Sequence, residues 1–365
     1  MKIPKVDRLF LLSIIILVVV GFFIFSSASL SLIAEGKGNF GRIALNQSVL
    51  GLLFGTIAMI FLSQTNYRVW RKYAFYILVV AIVVTTLVFM PNLGFEHAGA
   101  KRWLSLGPFS FQPAEFLKIG FVIYLATWLS GIKQRIEKIY LGLGPFLIIS
   151  SVVGVILLSQ PDIATFAVIA SAGIGMFASA GAKWRDILII GIIGAVSLGA
   201  VIYTKPYAME RINTFLDPTK DTLGASYQLE QSLIAIGSGG MFGRGFGQSI
   251  QKFSFLPEPI GDSIFAVAAE EFGFVGGTLL ILLFLFFASQ GLKIAYRSPD
   301  AFGGLTTIGI VILIVSQSFI NIASMLGVIP LSGLPLIFIS HGGTALFFTL
   351  ASLGIVLNIS RYQSR

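Results

Sequence analysis

The stretch QKFSFLPEPIGDSIFAVAAEEFGFVGG, residues 251–277, joins a polar, proline-bearing loop directly to a long apolar segment. Asp262 stands at the junction, and Glu270 and Glu271 follow two turns further into the apolar segment. A carboxylate within or at the edge of a hydrocarbon layer is energetically costly, so each of the three is a candidate functional residue. Asp is also a favoured helix N-cap, which is the alternative interpretation of Asp262. The two roles are compatible, because a cap holds the carboxylate in a defined place.

The composition around this stretch is that of a polytopic membrane protein. Hydrophobic residues make up 56% of the chain, charged residues 11%, and the mean hydropathy is +0.90. Soluble domains carry about 25% charged residues. The chain has no cysteine and two histidines, His97 and His341, which excludes a disulfide framework, a thiolate metal site and a histidine metal cluster.

Apolar segments near the length of a bilayer crossing recur along the whole chain. They predict an all-α integral membrane protein with ten transmembrane helices, forming a single domain over residues 1–365. The first segment is too long for a cleavable signal peptide, and more spans follow it. The ten predicted spans lie at about 9–29, 44–63, 73–90, 113–130, 143–159, 163–180, 186–204, 262–289, 302–327 and 341–359.

The basic residues predict the orientation of these spans. Fifteen of the 25 lysines and arginines lie in short connections on the side of the N-terminus, in groups that begin at Lys2, Arg68, Lys133, Lys183, Lys293 and Arg361. Short cytoplasmic loops are enriched in Lys and Arg, so both termini are predicted to be cytoplasmic. This placement accounts for the net charge of +9 without nucleic-acid binding.

Two long loops are then extracytoplasmic, at about 91–112 and, between spans 7 and 8, at about 205–261. In the second, Tyr227, Leu229, Leu233 and Ile234 indicate an amphipathic helix suited to the membrane surface. The following GSGGMFGRGFG, residues 237–247, indicates a flexible loop. It is not a P-loop, because it lacks the Gly-Lys-Ser/Thr ending and follows no strand.

Two further groups of candidates follow, one at the same outer side and one inside the fourth predicted span. Lys101, Arg102 and Trp103 suit either an interfacial anchor or a clamp for an anionic head group. Glu115 and Lys118 share a helix face, which favours a structural ion pair over direct catalysis.

Two other motifs favour structural interpretations. Asp162, with Thr165, favours a cap of the sixth span. His341, in Ser-His-Gly-Gly (340–343), favours a hydrogen-bonded interior residue, since no nucleophile elbow accompanies it. Clustering of polar groups at the outer ends, rather than at the midplane, favours chemistry on a lipid-linked substrate over transport.

Five stretches together resemble the SEDS family (shape, elongation, division and sporulation), whose members are ten-span proteins that polymerise peptidoglycan. Residues 247–252, GQSIQK, are similar to the division branch rather than the elongation branch. The stretches are AKRWLSLGPFSFQPAEFLKI (100–119), SQPDIATF (159–166), YQLEQSLIAIGSGGMFGRGFGQSIQKFSFLPEP (227–259), DSIFAVAAEEFGFVGG (262–277) and NIASMLGVIPLSGLPLIFISHGGTALF (321–347).

The resemblance implies a glycosyltransferase that joins a growing glycan on undecaprenyl pyrophosphate to the GlcNAc 4-hydroxyl of an incoming lipid II. The catalytic aspartate of the family falls on Asp262, which would act as the general base. Cations are needed where the pyrophosphate leaves. A divalent ion, Mg or Mn, could assist, although no acidic ligand cluster is evident and no metal ligand is assigned. The substrate-binding residues expected on these grounds are Lys101, Arg102, Trp103, Glu115, Lys118, Asp162, Arg211, Gln231, Lys252, Glu258 and Ser340.

The chain departs from the family pattern at two places. Ile260-Gly261 stands where the family usually has His-Thr, and His341 stands where it has Tyr. The resemblance also implies a class B penicillin-binding protein transpeptidase and divisome proteins as partners in the cytoplasmic membrane at the septum, with membrane lipids around the spans. Two alternatives remain: a lipid II flippase, with Glu115, Lys118, Glu270 and Glu271 lining a pathway, and a non-enzymatic scaffold for a cell-wall synthase.

Overall fold

Helices dominate the computed structural model, which describes residues 5–34, 40–90, 93–97, 100–106, 109–132, 135–217 and 225–363. Among these residues, eight helical stretches are long and apolar enough to cross a bilayer. Two shorter apolar helices, Leu143–Ser159 and Ile163–Ser179, coincide with the fifth and sixth predicted spans. The multi-pass membrane class is thereby supported at the level of eight long helices, while the count of ten spans stays a prediction.

The helices follow the predicted apolar segments closely at most ends. A π-helical segment, Asn46–Phe54, joins α3 to α4, and a 3-10 turn, Leu87–Phe89, follows α5. The helices are α1 Arg8–Ala28, α2 Leu30–Ala34, α3 Phe40–Leu45, α4 Gly55–Gln64, α5 Arg68–Thr86, α6 Pro113–Ile132, α7 Leu143–Ser159, α8 Ile163–Ser179, α9 Trp184–Thr204, α10 Pro206–Leu216, α11 Ala225–Ser238, α12 Ile264–Tyr296, α13 Ala301–Met325 and α14 Gly343–Ser360.

Helices α13 and α14 form the centre of the bundle. α13 packs against α6, α8, α12 and α14, and α14 packs against α4 and the π-helical segment. In α14, 89% of the residues of an 18-residue apolar stretch are buried inside the protein. The corresponding share in α9 is 6%, so α9 lies at the periphery. Glycines allow the close approach at the centre: a Cβ on Gly354 of α14 would lie 2.6 Å from the Met59 carbonyl oxygen of α4.

The first long loop contains a small sheet, which corrects the all-α class. Strands β1 Gly94–His97, β2 Ala100–Leu106 and β3 Phe109–Phe111 form an antiparallel meander in the order β1-β2-β3. Leu104 pairs with Gly94 on one side and with Phe111 on the other. The loop is rich in aromatic residues and alternates between apolar and polar residues, a pattern that favours β-strands over irregular coil. We call the end of the bundle that carries this sheet the loop end.

The second long loop also holds helices at the loop end. α10 begins with Pro206 at its first turn, a position that tolerates proline because its N–H would have no partner there. α11 covers the amphipathic stretch, but it packs against α12, with Leu229 and Ala235 buried. A protein neighbour therefore covers part of its apolar side, and the expected position at the membrane surface stays a prediction. Leu233 and Ile234 stay exposed.

α12 is sharply bent at Gly273, whose φ of 68° and ψ of −166° are not helical. A Cβ on Gly273 would lie 2.3 Å from the Gly243 nitrogen, so only glycine allows this approach of two backbones. The Phe265 ring lies 3.8 Å from the position that a Cβ atom on Gly277 would occupy. In a straight helix, two residues twelve positions apart would be separated by about 18 Å along the axis. The first part of α12 therefore turns back beside the second part.

Candidate functional site at the loop end of the bundle

Asp262 lies in the loop that leads into α12, two residues before the helix begins. Its side chain accepts a hydrogen bond of 3.0 Å from Gln228 Nε2 of α11. Its carbonyl oxygen accepts one of 2.7 Å from Asn321 Nδ2 of α13. The N-cap position of α12 belongs to Ser263, and no side chain forms a capping hydrogen bond there. The alternative interpretation of Asp262 as an N-cap is therefore wrong.

The surroundings of Asp262 make its carboxyl group a better proton acceptor. Burial, followed by the charge of Glu258, raises the pKa of Asp262 from 3.8 to about 6. The hydrogen bond from Gln228 and the charge of Arg211 lower it in part. A carboxyl group with a pKa near 6 is mostly ionised at neutral pH and still basic enough to take a proton from a hydroxyl group in a transition state.

The segment before α14 supports the Asp262 loop from behind. Ser340 Oγ donates to the Gly261 carbonyl at 2.6 Å and accepts from the Leu336 nitrogen at 2.8 Å. The His341 nitrogen donates to the Ile260 carbonyl at 2.7 Å. Ser340 thus holds the loop, and its hydroxyl already has both a donor and an acceptor partner. The structure gives it this supporting role, and the expected substrate contact stays a prediction.

The two departures from the family pattern meet at this contact, since His341 bonds the backbone of Ile260. Burial lowers the pKa of the His341 imidazole to about 4, which keeps it neutral at physiological pH. Its Nε2 atom has no hydrogen-bond partner among the described residues. Gln47, from the π-helical segment, fixes the neighbouring backbone by bonding the Ser340 carbonyl and the Gly342 nitrogen.

Two arginines and a second aspartate lie within electrostatic range of Tyr207, and Asp262 lies within range of one of these arginines, Arg211. Arg211 of α10 is half-buried and donates to the Ser332 carbonyl at 3.3 Å. Burial and the charge of Arg102 lower the pKa of Arg211, while Asp162 and Asp262 act in the opposite direction. Burial likewise raises the pKa of Tyr207, against the charges of the two arginines. Arg211 is thus within electrostatic reach of both aspartates.

Asp162 lies in the turn between α7 and α8, and Arg102 of β2 contacts the same turn. Asp162 caps α8 by accepting from the Thr165 nitrogen at 3.2 Å, which confirms the predicted cap. Its Oδ2 atom is buried and has no hydrogen-bond partner in the described part of the chain. The Arg102 guanidinium donates to the carbonyls of Gln160 and Pro161, so β2 is tied to this turn. Part of the hydrogen-bonding capacity of Arg102 is therefore already used.

The remaining candidates of the first loop and of α11 lie at varied depths. Lys101 is exposed on β2, and Trp103 is partly buried on the same strand. Gln231 is partly buried on α11, three residues after Gln228. Glu258 is exposed and acts on Asp262 through its charge. These four lie on elements of the loop end.

Glu115 and Lys118 form the predicted ion pair, with Lys118 Nζ 2.7 Å from Glu115 Oε2 and both side chains buried. Lys118 also donates to Gln317 Oε1 of α13 at 2.7 Å. Gln317 precedes Asn321 by one helical turn, and Asn321 holds the Asp262 carbonyl. The pair is therefore linked to the Asp262 loop through one face of α13.

Lys252 occupies a different environment from the one expected. Its side chain is fully buried, and its Nζ atom lies 2.7 Å from Glu271 Oε1. A lysine in this position cannot meet a leaving pyrophosphate, which corrects the expected substrate contact. Glu270 and Glu271 are buried as well, at 0% and 1% exposure, and bond the segment 244–252. Residues 244–247, the end of the stretch expected to be flexible, are thereby held in place.

Four residues of the site were missed by the sequence reasoning: Gln47, Gln228, Gln317 and Asn321. Gln317 and Asn321 are polar residues spaced by four within an apolar segment, which is a signal for a buried polar face. Gln47 and Gln228 carry no such signal. Among the described residues, no group of three or more His, Cys, Asp or Glu side chains could hold a metal ion.

Comparison with known proteins places the chain among wall-synthesis proteins along its full length. A family model described as "Cell cycle protein", covering FtsW, RodA and SpoVE, matches residues 7–365. The stage V sporulation protein E of Bacillus subtilis is 37% identical over 357 residues, covering 98% of this chain and 97% of that protein. A probable peptidoglycan glycosyltransferase FtsW of Geobacter sp. is 34% identical over 359 residues, covering 98% of both.

Two solved structures are also similar. One, described as "Structural coordination of polymerization and crosslinking by a peptidoglycan synthase complex", matches with a TM-score of 0.79 and 26% identity, covering 98% of both chains. The rod shape determining protein RodA of Thermus thermophilus matches with a TM-score of 0.71 and 26% identity, covering 99% of this chain and 98% of that one.

Proposed function

Because the chain belongs to the SEDS family, the cell cycle proteins that include FtsW, RodA and SpoVE, we propose that it is a peptidoglycan glycosyltransferase acting in cell division. It polymerises lipid II into glycan strands at the outer face of the cytoplasmic membrane and releases undecaprenyl pyrophosphate. Relatives named as probable peptidoglycan glycosyltransferases FtsW, at 32–35% identity over nearly the whole chain, support this activity.

The observation that carries the proposal is the environment of Asp262. The carboxylate is recessed, held by Gln228, shifted to a pKa of about 6 and placed within reach of the charge of Arg211. In the reaction it accepts the proton of the GlcNAc 4-hydroxyl as that oxygen attacks the anomeric carbon of the growing glycan. The bond from the anomeric carbon to the phosphate oxygen breaks, and its electron pair leaves with the pyrophosphate.

The leaving pyrophosphate needs positive charge where its own negative charge develops. Arg211 is the best-placed cation, because its charge acts on Asp262, whereas Arg102 donates to two backbone carbonyls and Lys101 is exposed on the sheet. Trp103, Gln231 and Asp162 remain proposed contacts for the sugar and phosphate groups. If a magnesium or manganese ion takes part, Asp262 and Glu258 are the carboxylates available to hold it.

The proposal includes a placement in the membrane. Ten spans with both termini in the cytoplasm put the sheet, α10, α11 and Asp262 at the outer face, where lipid II presents its sugars. We also propose that the chain works at the division septum with a class B penicillin-binding protein and other divisome proteins. The similarity to a chain of a peptidoglycan synthase complex supports a transpeptidase partner.

The similarity to a sporulation protein supports a second biological setting for the same activity. The sporulation protein relative, at 37% identity, makes wall synthesis during spore formation the second candidate. Depletion of the protein distinguishes the two: filamentous cells support a division role, whereas normal division with defective spores supports the sporulation role.

The flippase alternative has less support, because the four membrane charges that would line its pathway are buried and paired. Glu115 bonds Lys118, and Glu271 bonds Lys252. Purified protein, alone and with its cognate transpeptidase, should convert labelled lipid II into polymer. Translocation of lipid II by vesicle-reconstituted protein without any polymer would favour the flippase. Stimulation of another synthase without its own polymer would favour the scaffold.

A further inference from the structure

A cluster of charged side chains lies at the bend of α12, outside the set of groups that act on the reacting atoms. Glu270, Glu271 and Lys252 are all at most 1% exposed, and the Arg244 side chain is 38% exposed. Buried charges are strongly unfavourable unless each is paired and hydrogen-bonded. Their presence together in one place therefore indicates a specific arrangement that the fold requires.

Lys252 uses all its hydrogen-bonding capacity inside this cluster. Its Nζ atom donates to Glu271 Oε1 at 2.7 Å, to Ser27 Oγ at 3.0 Å and to the Gly247 carbonyl at 3.0 Å. An ammonium group has three N–H donors, and these are three acceptors. Lys252 consequently has no donor left for a phosphate oxygen.

The two glutamates bind the segment before Lys252 and the end of α1. Glu271 accepts from Ser27 Oγ at 2.6 and 2.7 Å. Glu270 accepts from Ser249 Oγ at 2.6 Å and from the backbone nitrogens of Ile250 and Gln251 at 3.0 and 3.2 Å. Arg244 Nε lies 3.4 Å from Glu270 Oε1. These bonds hold residues 244–252 against α12.

The bonded residues are close in space but distant along the chain, and Asp262 lies between them. Lys252 and Glu271 are 19 positions apart, and Asp262 is near the middle of that interval. The cluster therefore closes the neck of the loop that carries Asp262. Gln228, Asn321 and Ser340 hold the opposite end of this loop. Closing both ends removes the conformational freedom that would let the carboxylate move.

We propose that the Lys252–Glu271 pair, together with Glu270 and Ser249, closes the neck of the Asp262 loop and thereby positions the carboxylate. Lys252 is then a positioning residue and makes no contact with substrate. This inference rests on the proposed glycosyltransferase function for its activity readouts.

A double-mutant cycle separates this role from a substrate contact. Lys252→Met and Glu271→Gln should each lower lipid II polymerisation at least tenfold, because each leaves one buried charge without its partner. The double variant removes both charges and keeps an acceptor for Ser27, so it should polymerise at least tenfold faster than Lys252→Met. A folded double variant that is no faster than Lys252→Met would overturn the proposal, since a lost substrate cation cannot be restored by changing Glu271.

A milder variant covers the case in which the single variants do not fold. Ser249→Ala removes the hydroxyl that bonds Glu270 Oε2 and accepts from the Lys252 nitrogen at 3.2 Å, and it changes no charge. We expect kcat to fall several-fold with KM for lipid II unchanged, because the base is displaced and binding is not. An increase in KM with kcat unchanged would contradict a positioning role.

The pH profile gives a readout that general destabilisation would not move. The pKa of Asp262 is raised first by burial and then by the charge of Glu258, and it is lowered by the hydrogen bond from Gln228, by a backbone hydrogen bond and by the charge of Arg211. An opened neck lets water reach Asp262, so its pKa should fall and the acid limb of the rate profile should move to lower pH in Ser249→Ala. An unmoved limb with reduced kcat would contradict the positioning role.

The control variant is Lys293→Met, which removes an exposed lysine from the last turn of the same helix. It should behave like wild type in every assay. If neither wild type nor this control polymerises lipid II, the proposed function fails. The closure of the neck is then tested by thermal unfolding of wild type, the two single variants and the double variant. Coupling between the stability losses at Lys252 and Glu271 supports the closure, and additive losses overturn it.

Discussion

Replacing Asp262 by Asn should lower activity and raise stability at neutral pH, because the same burial produces both effects. The variant keeps the shape of the side chain and an oxygen that can accept from Gln228 Nε2. It removes only the group that ionises. Since Asp262 makes no capping hydrogen bond to α12, no helix cap is lost.

The stability effect follows from the shifted pKa. The pKa of Asp262 rises from 3.8 to about 6 on folding, and one pKa unit corresponds to about 1.36 kcal/mol. A raised folded-state pKa means that ionisation opposes folding by about 3 kcal/mol above pH 6, and that this cost vanishes below pH 4. Asp262→Asn should therefore be more stable than wild type at pH 7.5, by up to about 3 kcal/mol, and similar to it near pH 4.

The catalytic effect has the opposite sign. A general base contributes about 10²–10⁴-fold to the rate, so polymerisation by Asp262→Asn should fall by that factor. The assay is gel separation of polymer from labelled lipid II, with purified protein and its cognate transpeptidase. Thermal unfolding of the same detergent samples between pH 4 and 8 measures stability.

A matched control is Asp300→Asn, at the end of the bundle opposite the loop end. Asp300 caps α13 through the Gly303 nitrogen and accepts from the Tyr67 hydroxyl. It should polymerise at nearly the wild-type rate. Polymerisation by Asp262→Asn above a tenth of the wild-type rate would refute its role as the base. Lower stability of Asp262→Asn at every pH would refute the burial argument.

Three further predictions follow from the same geometry. Glu258→Gln removes the charge that raises the pKa of Asp262, so the acid limb of the rate profile should move from about pH 6 to lower pH; an unmoved limb would mean that another group sets it. Lys118→Met leaves its buried glutamate partner unpaired, at a cost of about 3–5 kcal/mol, so thermal stability in detergent should drop clearly, and an unchanged melting temperature would exclude a stabilising pair. In this cysteine-free chain, Ser105→Cys should react with an impermeant thiol reagent added to intact cells and Arg297→Cys should not; the reverse labelling would invert the predicted topology.

The properties that the sequence predicted well are those set by local pattern. Long apolar segments predicted helices at their observed positions because the hydrocarbon layer demands satisfied backbone groups within one segment. The spacing of Glu115 and Lys118 predicted their ion pair, because residues three apart share a helix face. The cap at Asp162 was predicted for the same kind of reason, since it depends on a residue three positions away.

The sequence predictions that failed concern contacts between distant segments. Lys252 was expected at the substrate, and the fold buries it against Glu271, 19 positions later, and Ser27, 225 positions earlier. The hydrogen bond from Ser340 to Gly261, 79 positions away, was likewise not foreseen. Whether a polar side chain contacts a ligand or a neighbouring side chain depends on which segments of the chain pack together. A short sequence motif does not contain that information.

Sequence alone determined that Asp262 would lie where a polar loop enters a membrane helix, because the change from polar to apolar residues marks that boundary. Only the tertiary structure decided what kind of group Asp262 is. Its raised pKa comes from burial by the surrounding segments and from the charge of Glu258, opposed by Gln228 of α11 and Arg211 of α10. Desolvation and charge interactions depend on all the groups that surround a side chain in space. The raised pKa of Asp262 therefore arises only when those elements have folded together.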